Sequence, residues 1–353
     1  MTTSKYKAPR LIQSRSPKFN IQYGRYIKPL EKRINKNFDF IGKGNYDTVA
    51  AKIHHKSLKY KYYTEGDHST FDAHVTVAML KLTHKFYSKN YPGDKIIRQL
   101  SRKTIYNKCR TRDNISYFMK GTRMSGDVDT SFGNSLINYA ILSELLLIMD
   151  MVGDIIVQGD DFILFTNDPI DINLAAQHLL TFNMETKFKP STTNIHKVEF
   201  CKTKMVYNQG QITMHADIKR QLLRLGMTDT NPKDYQLYLL ELLYCFMCVN
   251  RNTTIDISRT YKKCFELYRK RNKMDTEVLK KKIKKIKNVG RDQRWVFQHQ
   301  KNNKPLTTND CDFTTINAYP ELITDVPNIL YVLDKRLLFL FRLSKIRLHR
   351  TLP

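Results

Sequence analysis

Residues 154–165 read DIIVQGDDFILF, two short apolar runs that meet at Gly159, Asp160 and Asp161. Apolar runs of strand length, broken by a Gly-Asp step, predict a β-hairpin with two adjacent carboxylates at its tip. Adjacent like charges repel, and no Lys or Arg stands beside them to offset the repulsion. The hairpin therefore implies an apolar sheet whose acidic edge finds its partner elsewhere.

Working outward, the order of elements points to an α+β core. DTVAAKIHHKSLKY (47–60) has the spacing of an amphipathic helix, and YKYYTEGD (60–67) that of a strand ending in a turn. AHVTVAMLKLTHKFYSKN (73–90) predicts a helix closed by the NYPGD turn, and ISYFMKGTRM (115–124) a strand before the break at Ser125-Gly126. SLINYAILSELLLIM (135–149) reads as a buried helix and INLAAQHLLTF (172–182) as an amphipathic one. KVEFCKTKMVYNQGQITM (197–214) predicts a second hairpin turning at Asn-Gln-Gly. Beyond about residue 216 helix dominates, and residues 1 to about 36 are basic and punctuated by proline. The apolar stretch 136–157 contains Asn138, Glu144, Gly153 and Asp154, which make it a helix, a turn and a strand rather than a membrane span.

The charge balance narrows the function. Sixty Lys and Arg against 33 Asp and Glu leave +27, far more than solubility needs, and this favours a polyanionic partner: nucleic acid or an anionic membrane surface. The length of 353 residues and the long apolar segments argue against a small histone-like chain. Six scattered cysteines include one C-x-x-C, Cys245 and Cys248, inside the apolar run LYLLELLYCFMCV; with no second Cys or His pair at zinc spacing, this predicts packing rather than metal binding. Reduced thiols and the lack of a signal peptide lead us to expect an intracellular protein.

Two more acids stand like the first pair. Asp67 falls where an aromatic strand ends, and Asp72 follows five residues later at a helix start. If the strands are neighbours, Asp67 and Asp160 lie close together, and a hard divalent ion with oxygen ligands resolves their repulsion. Two such ions form the clamp of in-line phosphoryl transfer. Between them, SGDVDTSFGN (125–134) opens the apolar helix with hydroxyl and amide groups able to hold a ribose 2′-hydroxyl, although an ordinary capped helix start explains this segment on its own.

Taken in order, Asp67-x4-Asp72, SGDVDTSFGN and GDD resemble motifs A, B and C of the viral RNA-dependent RNA polymerases, within them the tombusvirus-like, carmovirus-related positive-strand group. GTRMSGDVDTSFGN is similar to that group's GCRMSGDMNTSLGN; KAPRLIQSRSPKFNIQYGRYIKPLE resembles its motif F and VEFCK its motif E. The similarity runs from about residue 5 to about residue 207. It implies a right-hand polymerase fold with an antiparallel palm sheet, fingers and a helical thumb: fingers over 1–60 and 80–124, palm over 61–79 and 125–215, thumb over 216–353. It implies Asp67, Asp160 and Asp161 as catalytic metal ligands, the last a weaker or outer one, for two Mg2+ ions, with Mn2+ as a substitute. Lys7, Arg10 and Arg15 would hold the triphosphate, and Asp72, Ser125, Thr130 and Asn134 the nucleotide's ribose. Lys187, preferred to Lys189, would protonate the leaving pyrophosphate, and Cys201 would sit on the primer grip.

Two departures from that pattern stand out. Asp129 occupies the position where the group usually has Asn, and Arg123 is the expected counter-charge. Motif F also begins almost at Met1, where such polymerases carry on the order of a hundred preceding residues; this leaves a frameshifted or segmented gene product, a partial sequence and an unusually small polymerase as open readings. In the basic remainder, KKKIKKIK (280–287) suits a thumb face tracking duplex phosphates or a merely solvated face. Trp295 and Phe297 suit a priming loop or core. DKRLLFLFRLSKIRLHR (334–350) suits a packed thumb helix or peripheral membrane contact.

The expectation is thus an RNA-directed RNA polymerase joining ribonucleotides to the 3′-hydroxyl of a growing strand on an RNA template. Its expected setting is the host-cell cytoplasm, in membrane-associated complexes with other viral replication proteins. A reverse transcriptase would carry an aromatic or Met before the paired acids and a bulky gate at Asp72. A catalytically idle RNA-binding scaffold would have no need of the clustered acids.

Overall fold

A Ser-Pro step opens the first helix. The Phe19 amide donates to the Ser16 hydroxyl at 3.3 Å and Pro17 takes the first helical position, giving α1 (Pro17–Asn37). Apolar spacing does not predict this helix, since Pro29 interrupts it. The helix continues through Pro29 since Tyr23, Ile27 and Leu30 are buried with Ile41, Tyr87, Ile97, Leu100 and Phe132, and that burial outweighs one lost backbone bond. The computed structural model describes residues 12–208 except Arg112, residues 211–217, and scattered positions up to Lys270. Lys7, Arg10, Cys245, Cys248, the 280–287 run, Trp295, Phe297 and the 334–350 segment lie outside the described residues.

Helix α2 (Tyr46–Ser57) and strand β1 (Tyr62–His68) follow as expected. The segment expected as one helix over 73–90 is two, α3 (Phe71–His74) and α4 (Val77–Asn90), because Val75 turns extended and Thr76 caps the second by accepting from the Met79 amide at 3.3 Å. The NYPGD turn ends in a second cap, where the Asp94 carboxylate accepts from Ile96 and Ile97 to start α5 (Lys95–Arg102). Strands β2 (Tyr106–Arg110) and β3 (Ser116–Lys120) form a separate hairpin. Helix α6 (Thr130–Ile148), strands β4 (Gly153–Gln158) and β5 (Asp161–Thr166), helix α7 (Ile172–Thr181) and strand β6 (Thr186–Phe188) complete the region.

The main sheet is antiparallel with order β4-β5-β1-β6. β1 is central, pairing with β5 from Tyr62 opposite Thr166 to Gly66 opposite Phe162. α6 is apolar and long enough to cross a membrane by length and composition, yet Ile137, Ile141, Leu142 and Leu145 are buried in one core with Ile155, Val157, Phe162 and Leu164 of the sheet. Its Leu-rich face is thus spent on the sheet, as the polar residues in its sequence predict.

The chain divides into two compact units, residues 1–43 with 55–194, and residues 44–54 with 195–353. In the second, β7 (Glu199–Phe200), β8 (Thr203–Asn208) and β9 (Gln211–Ala216) form a three-stranded sheet. β7 and β8 are joined by Cys201 and Lys202, both at positive φ (51° and 63°), the signature of a type I′ turn. The expected hairpin at Asn-Gln-Gly is β8–β9, closed by Asn208 opposite Gln211.

Candidate active site

The acidic turn is built by two local rules. Gln158 pairs with Asp161, leaving Gly159 and Asp160 as a two-residue turn, and Gly159 takes φ +68° while Asp160 stays at negative φ. That is the sign pattern of a type II′ turn, which wants glycine first. Nothing would meet a Cβ on Gly159, so the glycine is required by conformation alone. Asp160 is exposed and Asp161 half-buried. One step beyond the pair Gly66–Phe162, Asp67 reaches the same end of the sheet, exposed, level with Asp161. On its other side Asp67 pairs with Lys187 of β6, also exposed, so the two side chains share a face. Lys189 is engaged in an ion pair with Glu65 instead.

Helix α6 clamps this turn from beneath. The Gly159 amide donates to the Ser135 hydroxyl at 2.8 Å, and the Asn138 amide nitrogen donates to the carbonyls of Gly159 (3.0 Å) and Asp160 (3.1 Å). With its nitrogen so committed, Asn138 turns its oxygen to His68 Nε2 at 3.0 Å. His68 must then carry its proton on Nε2 and accept at Nδ1 from the Thr186 hydroxyl, 2.7 Å away. Burial lowers the His68 pKa, against the opposing pull of Asn138, Asp160 and Asp67, so the ring is neutral at neutral pH. A chain of hydrogen bonds therefore runs from β6 through β1 and α6 to the acidic turn. Sequence reasoning named none of Ser135, Asn138 and His68 for this work. Its available signal was the buried polar stripe Asn134, Ser135, Asn138 on an otherwise apolar helix.

One turn earlier, the same helix holds the other half of the site. Asn134 Nδ2 donates to Asp72 Oδ1 at 2.7 Å, and Arg123 Nε donates to Asn134 Oδ1 at 3.2 Å. Arg123 NH1 meets Asp129 Oδ2 at 2.6 Å with both side chains fully buried, which is the counter-charge expected for this unusual acid. Burial works against the Arg123 cation, but Asp129 and the Tyr87 and Tyr23 hydroxyls hold its pKa above the ordinary value. Tyr87 donates to the same Asp129 oxygen at 3.3 Å.

The loop before α6 is stitched to the N-terminal segment. The Gln13 amide donates to the Ser125 hydroxyl at 3.1 Å, and the Gly126 amide donates to the Gln13 carbonyl at 2.9 Å. A Cβ on Gly126 would come 2.6 Å from that carbonyl oxygen and 2.7 Å from Ser14 Cα, so only glycine permits the approach. Arg15, expected at the triphosphate, pairs through Nε with Asp127 at 2.5 Å and donates to Asn107 and, at 3.2 Å, the Lys103 carbonyl. Burial pushes the Asp127 pKa up to about 6, with Asp129 adding to the rise and Arg15 resisting it. Thr130, expected at the ribose, directs its hydroxyl to the Met124 and Asp127 carbonyls, each 2.8 Å away. In this structure both residues brace the loop. Cys201 lies in the second unit, half-buried in its turn.

The carboxylates of Asp67 and Asp160 accept no hydrogen bond and join no ion pair among the described residues. No group of three or more His, Cys, Asp or Glu is gathered at metal-binding distance among those residues. Exposed carboxylates at one sheet edge nevertheless suit a hard divalent ion, since Mg2+ takes one or two carboxylates and completes its shell with water and substrate phosphates.

Comparison with known proteins fits this geometry. Residues 1–311 match the family described as viral RNA dependent RNA polymerase. The chain is 28% identical over 221 residues to the RNA-directed RNA polymerase of Panicum mosaic virus (strain United States/Kansas 109S), covering 58% of this chain and 22% of that protein. It is 30% identical over 223 residues to that of tobacco necrosis virus (strain A), covering 59% and 31%. Against that of tomato bushy stunt virus (strain Cherry) it is 30% identical over 229 residues, covering 60% and 28%. The matches thus span between 22% and 31% of these relatives' length. By motif order, site geometry and a family match over most of its length, this chain belongs to the viral RNA-dependent RNA polymerases, among relatives of the tombusviruses and carmoviruses.

Proposed function

We propose that the chain carries the nucleotidyl-transfer site of an RNA-directed RNA polymerase. One observation carries this reading: a single helix, α6, holds Asp72 through Asn134 and the acidic turn through Ser135 and Asn138. Ribose recognition and the acids of catalysis are thereby fixed to one rigid element, as positioning catalysis requires.

The 3′-hydroxyl of the growing strand attacks the α-phosphorus of a ribonucleoside triphosphate in line, forming the new phosphodiester and releasing pyrophosphate. Two divalent ions, Mg2+ or Mn2+, supply activation of the attacking hydroxyl and neutralisation of the leaving group when bound. Asp67 and Asp160 would hold them, with Asp161 alongside. Asp72, oriented by Asn134, receives the ribose 2′-hydroxyl beside the Ser125 loop, and Lys187 delivers a proton to the pyrophosphate. Lys7 and Arg10 meet the triphosphate, Arg15 and Thr130 shape the loop before α6, and Cys201 belongs to the primer grip. In the right-hand scheme residues 61–79 and 125–215 are palm, 1–60 and 80–124 fingers, and 216–353 thumb. The polymerase works on an RNA template in host cytoplasm, with other viral replication proteins at a membrane surface.

The test supplies purified chain with RNA template, labelled ribonucleotides and Mg2+. Template-directed product that disappears in Asp160→Ala and persists, weakened, in Asp161→Ala is the expected result. A wild type that binds RNA yet never incorporates nucleotide, even when fused to preceding fingers sequence, is a scaffold and overturns the proposal.

A further inference from the structure

The β2–β3 hairpin carries a face that the catalytic site does not use. Its register sets Tyr106 opposite Lys120, Lys108 opposite Phe118 and Arg110 opposite Ser116, and all six are exposed. The alternating residues between them turn inward: Asn107 is buried, and Cys109, Tyr117 and Met119 are half-buried. Orientation is therefore fixed by the inner face, and the outer face is free to present what it carries.

What it carries is unusual for a solvated hairpin. Tyr106 is 57% exposed and Phe118 59%, and their rings lie stacked at 6.3 Å with planes 27° apart. Lys120 Nζ stands 5.8 Å from the Tyr106 ring centre, and Lys108 and Arg110 extend the positive charge along the strand. No acid stands on this face; Asp113 sits in the connecting turn. Two exposed aromatics give away apolar surface to water unless something covers them. Flat rings flanked by cations suit a partner that offers flat rings and anions together. Unpaired bases have free π-faces and a phosphate every nucleotide, whereas a duplex hides its bases in the stack.

We propose that this outer face is a docking surface for single-stranded RNA, with Tyr106 and Phe118 stacking bases and Lys108, Arg110 and Lys120 meeting phosphates. The choice of RNA as the strand rests on the polymerase reading; the stacking and charge do not. Lys120 precedes Ser125 by five residues, so a strand held here is tethered close in sequence to the loop of the nucleotide site.

The experiment measures binding of the full chain to a fluorescent single-stranded RNA of about a dozen nucleotides, the length of site that such surfaces cover. Tyr106→Ala combined with Phe118→Ala should weaken binding about ten- to a hundredfold, as loss of one or two stacked bases does. Affinity for a matched duplex should change little, and Tyr106→Trp with Phe118→Trp should keep single-strand binding. Lys108→Gln with Lys120→Gln should lower the slope of log affinity against log salt by about 1.4, two phosphate contacts at ~0.7 each. Photo-crosslinks from thiouridine RNA should fall on the peptide spanning residues 106–120. Unchanged single-strand affinity in a folded double-Ala variant overturns the proposal, as do crosslinks mapping elsewhere or substitutions that alter only self-association. A wild type that binds strands through this face but incorporates nothing keeps the docking surface and sinks the polymerase reading; one that incorporates while the double-Ala variant binds normally does the reverse.

Discussion

Asn138 is a polar side chain at full burial in the most apolar helix among the described residues, and every one of its side-chain polar atoms is used. Asn138→Ala leaves two turn carbonyls and the His68 N–H without partners, each a cost of ~1–3 kcal/mol if water does not enter. We expect stability to fall by about 2 kcal/mol in urea titration and nucleotide incorporation to fall at least tenfold, because Asp160 loses its fixed position. Asp127 makes a pH prediction. Its folded value of about 6 lies above the ordinary 3.8, so between about pH 4 and pH 6 the folded state keeps a proton that the unfolded chain has released. This group's contribution to stability therefore falls as pH rises through that window. His84, lowered to about 4 by burial, contributes with the opposite sign as pH rises from about 4 to 6.5. Asp127→Asn should leave the His84 trend uncovered: denaturation midpoints across the window should show the variant gaining on wild type as pH rises. Asp67, Asp72, Asn134 and Asp160 could be named as candidates because their order along the chain resembles a known pattern. Asn138 was legible only as an interruption of an apolar run, since nothing in one dimension says that the turn 21 residues later lies against it.

At the scale of elements, α6 and the segment before α1 meet at Gly126. A methyl there collides with backbone atoms of Gln13 and Ser14, which cannot rotate away as a side chain could. Gly126→Ala should therefore cost about 1–3 kcal/mol by calorimetry and raise the nucleotide KM more than it lowers kcat, if the displaced segment leads to the triphosphate contacts. The strongly periodic elements, α2, α4, α6, α7 and the β4–β5 hairpin, were readable from apolar spacing and turn chemistry. α1 was not, because burial of Tyr23, Ile27 and Leu30 overrides Pro29; α5 and β2 were not, being short and largely polar. The split between α3 and α4 depends on the Thr76 cap, a side-chain choice invisible to periodicity.

For the whole molecule, the sheet order β4-β5-β1-β6 does what the clustered acids demanded: it puts the end of β1 beside the β4–β5 turn, with Lys187 on the far side of Asp67. The neighbourhood of Asp67 and Asp160 was legible only on condition that their strands pair, since both acids stand at strand ends. The place of Lys187 did not, since a three-residue strand carries almost no pattern of its own. The central claim is that Asp67 and Asp160 share a divalent-ion site, and its most direct test is metal-directed backbone cleavage. Fe2+ substituted for Mg2+, with ascorbate and peroxide, should cut the chain near residues 67 and 160. Excess Mg2+ and the Asp160→Ala substitution should both suppress those cuts. Cleavage elsewhere, or cuts at these positions that survive both treatments, would contradict the account.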